Sequence, residues 1–289
     1  MDHSNKCFIT FREWGNKYVL IAYYIIALII HGGIIGLLLF HRNAIRRTFV
    51  NRLFIVFFSS HVVVLLTYLV TTSVSSSIRY DCIFIKVNYI FHSSSALISV
   101  TILMGIMHYN LGQMKQVTSI QTENDKYLQK KNVVKLIGLS LSIGCGLVLL
   151  AVITESLLLL AVIVLYEAVV NVVAIVYNYC SYRTNNKIDI SEISDVQRKS
   201  FKYINSSQRI TMAMTALTVI PRLVNLIILT VVASVQLPSI TRNILLYVGR
   251  IYVFGMVCKA ILYIRLTYNS WTRRRVHPLN VNPHSTNLT

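Results

Sequence analysis

Long apolar runs, separated by short polar and basic segments, constrain this chain more than any other feature of its sequence. Hydrophobic residues make up 55% of its 289 residues and charged residues only 13%, a composition outside the range of soluble domains. A helix needs about 20 consecutive apolar residues to cross the hydrocarbon core of a bilayer. The sequence therefore predicts an all-α membrane protein with a seven-helix transmembrane domain over residues 18–267. The predicted spans cover residues 18–40, 53–75, 83–112, 133–153, 157–179, 210–235 and 244–267.

The longest apolar run, residues 133–179, is interrupted only by Thr154, Glu155 and Ser156. It is too long for one span and suits two. We therefore divide it at Glu155, with a very tight turn between the two spans. The alternative is a single bent helix, which would change the number of spans, but its length would far exceed the bilayer.

The distribution of basic residues indicates the orientation of the chain. A net charge of +18 would favour nucleic-acid binding in a soluble protein, but here the lysines and arginines lie between apolar runs, so we expect no nucleic-acid partner. The first, third and fifth loops and the tail are rich in Lys and Arg, whereas the other three loops contain only Arg79 and Arg242. The basic side of a membrane protein is cytoplasmic. Segment 1–17 is therefore predicted outside and tail 268–289 inside, in a multi-pass protein of the plasma membrane surrounded by membrane lipid.

Motifs of the common enzyme and metal sites are absent from the sequence. It has no Gly-rich phosphate loop, no Cys-x-x-Cys pair and no His-Glu-x-x-His segment. Its five cysteines are scattered without the spacing of metal ligands. We therefore expect neither enzymatic activity nor a bound metal or cofactor.

The stretch of residues 81–113 holds one membrane-spanning length with an unusually polar first half and an almost wholly apolar second half. The polar residues of the first half are Lys86, Asn88, Tyr89, His92, Ser93, Ser94 and Ser95. Polar groups within a membrane are costly unless they face the interior of a bundle, so we expect a central helix whose outer half lines a pocket. The alternative is a structural helix whose serines allow close packing. His92, like His61 in the second span, is either a hydrogen-bonded structural residue or a proton sensor.

Ionisable residues within the predicted spans are candidates for function, because charges there are costly. They are Lys86, Glu167, Arg222, Arg250 and Lys259, so an anionic ligand group would balance an excess of cations. Arg222 follows Pro221, and proline frees a carbonyl and kinks a helix, which can open a pocket. The alternatives are ion pairing within the protein and, near helix ends, snorkelling to the membrane surface. The candidate ligand-binding residues are Lys86, Tyr89, His92, Arg222, Asn225 and Tyr252.

Short motifs lie at characteristic places in several predicted spans. Asn51 precedes His61 by ten residues around the second span, and Met107-His108-Tyr109 lies near the end of the third. Tyr177 lies in the fifth span, Thr218-Val219-Ile220-Pro221 in the sixth, and Lys259-Ala260-Ile261-Leu262-Tyr263 in the seventh. With these motifs in this order along its spans, the chain resembles a divergent, orphan-like member of the rhodopsin-like (class A) G-protein-coupled receptors.

This resemblance implies roles for these residues, and it also reveals departures from the family pattern. The arginine with which the family engages its G protein is missing, the buried sodium-site aspartate is replaced by His61, and the toggle tryptophan by Val219. The resemblance implies a heterotrimeric G protein as partner, with conventional agonist-driven exchange expected to be weak or absent. The residues to which it assigns signalling roles are Met107, His108, Tyr109, Tyr177, Pro221 and Tyr263.

Cys82 opens the third predicted span, where the resemblance implies a disulfide cysteine. The usual partner lies in the second outer loop, which is almost absent here. Cys7 is the other cysteine predicted on the oxidising side of the membrane, and a Cys7–Cys82 bridge would draw the N-terminal segment over the third helix. The alternative is two free thiols, since a bridge needs the two α-carbons within about 7 Å.

Two classes of function follow from the sequence. The first is a seven-span receptor that senses an extracellular or membrane-borne ligand and signals to the cytoplasm. The second is a seven-span transporter or ligand-gated channel, which the lack of visible internal repeats disfavours. A ligand-independent, receptor-like modulator is a third alternative.

Overall fold

The computed structural model describes residues 17–40, 49–74, 82–118, 123–154, 157–185, 195–234 and 251–275, and these residues form seven α-helices. In chain order they are α1 (Lys17–Phe40), α2 (Phe49–Val74), α3 (Cys82–Thr118), α4 (Glu123–Thr154), α5 (Leu157–Asn185), α6 (Asp195–Ser234) and α7 (Ile251–Arg275). The described part of the chain is all-α, as the sequence predicted. The apolar run of residues 133–179 is divided between α4 and α5, close to the predicted turn.

Six of these helices are long and apolar enough to cross a membrane, with mean hydropathy between 1.3 and 2.3 over their apolar stretches. These stretches are Tyr18–Phe40, Phe49–Ser73, Phe91–Met114, Lys130–Leu150, Val162–Thr184 and Ser200–Ile228. They support the predicted multi-pass membrane protein. Helix α7 is not among them, and residues 244–250 of the predicted seventh span lie outside the described residues. Seven spans and the orientation of the termini therefore stay predictions.

Contacts between neighbouring helices show that the chain runs up and down through the bundle. His31 of α1 packs against His61 of α2, whereas the earlier Tyr24 packs against the later Tyr68, so these helices are antiparallel. The same reversal is found between α2 and α3 and between α5 and α6. We call the end of the bundle at which α3 begins the upper end, and the opposite end the lower end.

Helix α3 is the centre of the bundle, as the sequence predicted, because it packs against α2, α4, α5 and α6. Within its apolar stretch 67% of the residues are buried, against 17–47% in the other five. Two glycines let α3 and α4 approach closely. A Cβ added to Gly105 would lie 2.8 Å from Cδ1 of Ile137, and one added to Gly144 would lie 2.6 Å from Cδ1 of Leu97.

The third and fifth predicted loops, which contain the polar segments 114–132 and 183–209, are partly helical, and the prediction of loops was wrong there. Helix α3 continues to Thr118 before α4 begins at Glu123, and α6 begins at Asp195. Hydropathy identifies only the part of a helix that lies in hydrocarbon, and neither segment contains the Pro or Gly residues that end helices. Apolar residues on these extensions also pack together at the lower end. The buried cluster there consists of Met114, Phe201 and Ile204.

Candidate functional site

An ion pair between α5 and α6 lies at the centre of the candidate site. Nη2 of Arg222 is 2.6 Å from Oε2 and 2.8 Å from Oε1 of Glu167. The two side chains are 2% and 1% exposed, so the pair is shielded on all sides. Arg222 reaches this position from the residue after Pro221, which lies inside α6. The sequence left open whether Arg222 serves a ligand or pairs internally, and the structure shows that it pairs internally.

Helix α3 contributes two further partners to the same guanidinium group. Nη1 of Arg222 lies 2.5 Å from Nε2 of His92, and Nη2 lies 3.5 Å from Oγ of Ser93. A guanidinium group only donates hydrogen bonds, so Nε2 of His92 must be the acceptor. A neutral His92 then carries its proton on Nδ1.

His92 extends the hydrogen-bonded chain to α2. Its Nδ1 is 3.2 Å from the hydroxyl of Tyr68, which accepts the Nδ1 proton in this tautomer. The chain of contacts therefore runs from Tyr68 through His92 and Arg222 to Glu167 and joins α2, α3, α6 and α5. We refer to these four residues and Ser93 as the Arg222 network.

A network of this kind has large energetic consequences when it is broken. Burying two charges costs several kcal/mol per ion, and their mutual attraction offsets that cost only in good geometry. Removal of one partner leaves the other charged and buried, which costs about 3–5 kcal/mol. The network therefore contributes little net stability when intact, but it strongly opposes any rearrangement that separates Arg222 from Glu167 without supplying another anion.

Of the six predicted ligand-binding residues, the structure brings His92 and Arg222 together. The side chains of Lys86, Tyr89, Asn225 and Tyr252 lie outside the described residues, so their placement stays a prediction. The sequence-based site lacked Tyr68 and Glu167. Glu167 could have been included from the sequence, because it is the only carboxylate within the predicted spans and is therefore the natural partner of a buried arginine. No feature of the sequence distinguished Tyr68, since tyrosines are common in the spans.

At the lower end, the structure joins two residues to which the resemblance assigns signalling roles. Nδ1 of His108 on α3 lies 2.7 Å from the hydroxyl of Tyr177 on α5. Met107, the residue before His108, is also assigned a signalling role by the resemblance, but its side chain is 0% exposed and lies in the core. His108, in contrast, is exposed.

Two other polar contacts connect the lower halves of α3, α5 and α6. Nδ2 of Asn110 donates to Oγ of Ser207 at 3.0 Å, which links α3 to α6. Nδ2 of Asn178 donates to Oγ1 of Thr215 at 2.7 Å, which links α5 to α6. All four residues are buried. Any movement of the lower end of α6 has to break or replace these bonds.

The predicted signalling tyrosines of α3 and α7 pack into aromatic clusters. The ring of Tyr109 lies 5.0 Å from that of Phe49 on α2. Tyr263 is buried, and its ring lies 4.8 Å from Phe54 and 5.0 Å from Phe58. These contacts hold α2 against α3 and α7 at the lower end. In this conformation, Tyr109 and Tyr263 therefore pack against aromatic side chains of α2.

The predicted disulfide lies outside the residues whose side chains the structure describes. Cys7 is in segment 1–16, and of Cys82 only the position in α3 is described. Cys145, Cys180 and Cys258 are free. The Cys7–Cys82 bridge therefore stays a prediction.

No family model matches the sequence, and no curated protein matches it. The resemblance to rhodopsin-like receptors thus rests on the motifs and the helical bundle alone, and it stays a prediction.

Proposed function

We propose that this chain is a seven-span, receptor-like protein of the plasma membrane, with its N-terminus outside and its C-terminus in the cytoplasm. Its upper half takes a ligand with an anionic group, and the signal leaves through the lower ends of α3, α5 and α6. The observation that carries the proposal is the buried Glu167–Arg222 ion pair beside Pro221. It connects two helices at the depth where the sequence predicts a ligand pocket.

The chemistry of the pair favours an anionic ligand. A ligand carboxylate or phosphate that replaces Glu167 keeps Arg222 compensated, and Glu167 can then take up a proton or water. Such an exchange avoids the cost of an unpaired buried arginine. A ligand shifts a conformational equilibrium only by its differential affinity for the two states. A ligand that can pair with Arg222 only after α5 and α6 have moved apart has a higher affinity for that conformation, and this difference in affinity shifts the equilibrium.

The lower end offers a route by which the change reaches the cytoplasm. Arg222 and Ser207 lie on the same helix, and α6 is continuous between them. A tilt of α6 about Pro221 therefore changes the Asn110–Ser207 and Asn178–Thr215 contacts. His108, exposed beside Tyr177, is the residue of α3 that then faces a G protein.

A ligand-independent modulator is the second candidate, and one observation favours it. The charge of Arg222 is already compensated by Glu167 within the protein, so the site needs no external anion. In that case the pair holds one conformation permanently.

Thermal stability in lipid nanodiscs distinguishes the two candidates. The probes are oleate and lysophosphatidate, with oleamide and monoolein as neutral analogues of similar shape. A receptor of the proposed kind is stabilised by at least one acidic lipid and not by its neutral analogue. The charge-neutral double variant Glu167→Gln/Arg222→Gln loses this effect, whereas Arg209→Gln, at an exposed position of α6, retains it. Equal responses to acidic and neutral lipids, or a full response in the double variant, would count against an anion site at Arg222.

The topology is tested separately with epitope tags at residues 1 and 289 in intact cells. The proposal predicts staining of the first tag without permeabilisation and of the second only after it. Staining of both tags on the same side would rule out seven spans.

A further inference from the structure

His92 lies between two partners, and each of its ring nitrogens has a fixed role. Nε2 is 2.5 Å from Nη1 of Arg222 on α6, and Nδ1 is 3.2 Å from the hydroxyl of Tyr68 on α2. Nη1 can only donate, so Nε2 must accept through its lone pair. A neutral ring has one N–H, which therefore lies on Nδ1 and is donated to the Tyr68 hydroxyl. The contact between α3 and α6 at this point requires a neutral His92.

A proton and Arg222 thus compete for the same lone pair. A histidine cation carries a proton on both nitrogens and accepts no hydrogen bond. A proton on Nε2 would place two donors and two positive charges against each other at this contact. Arg222 has a second anchor, because both carboxylate oxygens of Glu167 bind its other terminal nitrogen. Arg222 can therefore leave His92 without becoming an unpaired buried charge.

The groups around His92 do not compensate an added proton while Arg222 stays in place. Tyr68 on α2 offers a neutral hydroxyl. Arg222 on α6 and Lys259 on α7 both act on His92 as positive charges. The carboxylate on α5, Glu167, is already paired with Arg222. His92 is only partly buried, so a proton can reach its ring, but the bound guanidinium group keeps that proton from Nε2.

We propose that His92 is a pH-sensitive switch, in which uptake of one proton at Nε2 separates Arg222 from α3 and releases the upper half of α6. The proton comes from the solution at the upper end, and no other group has to change its protonation state. This regulation adds to the function proposed above and rests on it only for the meaning of the signal. The competition at Nε2 depends on the contacts of His92 alone.

The size of the effect follows from the linkage between proton binding and conformation. An imidazole in water has a pKa of about 6.5, so His92 takes up a proton below that pH once Arg222 has left it. His92 bound to Arg222 takes up none at Nε2. The bound conformation therefore keeps its full stability above that pH and loses it as the pH falls. Between about pH 8 and about pH 5, the ratio of released to bound protein should rise by up to about thirtyfold.

The experiment follows His92 and α6 together in the purified wild-type protein without added ligand. Nitrogen NMR of isotope-labelled histidine rings distinguishes the two neutral tautomers from the cation. Double electron–electron resonance measures the distance between spin labels carried by unnatural amino acids at Val70 on α2 and Ile227 on α6, which are 52% and 63% exposed. At about pH 8, His92 should carry its proton on Nδ1. At about pH 5, its cation and a second distance population should appear with the same midpoint.

Two variants assign the response to His92. His92→Gln can still accept from Arg222 but does not titrate, so its distance distribution should be the same at both pH values; His92→Asn takes its place if it does not fold. His108→Gln removes an exposed histidine from the same helix and should respond like the wild type. A pH response in His92→Gln equal to that of the wild type would overturn the proposal.

The wild-type spectra give three further results that would overturn it. They are a proton on Nε2 at about pH 8, a ring that stays neutral at about pH 5, and a cation that forms without any change in the distance distribution. These measurements contain no acidic lipid, and the response to acidic lipids is measured at a single neutral pH. The anion site and the switch can therefore fail independently.

Discussion

Glu167 and Arg222 are joined through a single guanidinium nitrogen, Nη2, which lies within 2.8 Å of both carboxylate oxygens. The other terminal nitrogen, Nη1, points to His92. Arg222 thus donates hydrogen bonds to both α5 and α3, and within the Arg222 network it is the residue that contacts both helices.

Breaking this pair from one side should be costly. Glu167→Gln or Arg222→Met alone should lower the free energy of unfolding by about 3–5 kcal/mol, because each leaves the other charge buried. The double variant Glu167→Gln/Arg222→Met should be less destabilised than either single variant, since no charge stays behind. Chemical unfolding in detergent gives all three values.

Ile220→Ala is the control for this cycle, because Ile220 is 54% exposed on the same helix and should lose little stability. Effects of the two single variants that simply add in the double variant would show that the pair is not coupled.

The close packing of α3 and α4 should tolerate side chains at one glycine and not at another. A Cβ at Gly144 would lie 2.6 Å from Cδ1 of Leu97 and 3.3 Å from Cε1 of Tyr166, whereas one at Gly146 meets nothing within 4 Å. Gly144→Val should therefore be less stable than Gly146→Val by about 1–3 kcal/mol, the usual cost of overpacking. Both variants carry the same change in helix propensity, so their difference isolates the contact. Equal thermal stabilities would mean that α4 does not pack against α3 at this point.

Arginine substitutions at the lower end of α3 should have opposite outcomes. His108 is exposed beside Tyr177, so His108→Arg should fold and should increase nucleotide exchange on a G protein, because arginine offers a fork of donors that histidine lacks. Met107 is fully buried, and Met107→Arg should lower the yield of folded protein because it places a charge in the core.

Nucleotide exchange by purified protein tests this pair of variants, with His108→Ala as the control. Strong wild-type exchange that survives His108→Ala, without a gain from His108→Arg, would show that this part of α3 does not limit coupling.

The sequence was sufficient to predict the helices of the bundle and the central position of α3. Apolar runs of membrane-spanning length allow little other than helices, since every backbone polar group must be satisfied within the segment. The extension of α6 back to Asp195 was missed because its residues are polar and the hydropathy signal ends with the bilayer. Its packing depends on Phe201 and Ile204, which contact Met114 of another helix.

The candidate site could be predicted only in part. The sequence gives the depth of Arg222, Glu167 and His92 in the membrane, because depth follows from the position along each span. It does not give the direction in which each side chain faces around its helix. That direction decides whether Arg222 lines an open pocket or meets Glu167, and it also places His31 beside His61.

The central claim is that the Glu167–Arg222 pair controls the position of the lower end of α6, and a distance measurement tests it most directly. Spin labels carried by unnatural amino acids at Arg52 on α2 and Lys202 on α6 occupy exposed positions near the lower ends of their helices. Double electron–electron resonance then measures the distribution of distances between the two labels in wild-type protein, in Glu167→Gln and in the control Ile220→Ala. Circular dichroism verifies that each protein is helical. The account predicts a population at longer distance in Glu167→Gln and none in the control. The same distance distribution in all three proteins would contradict it.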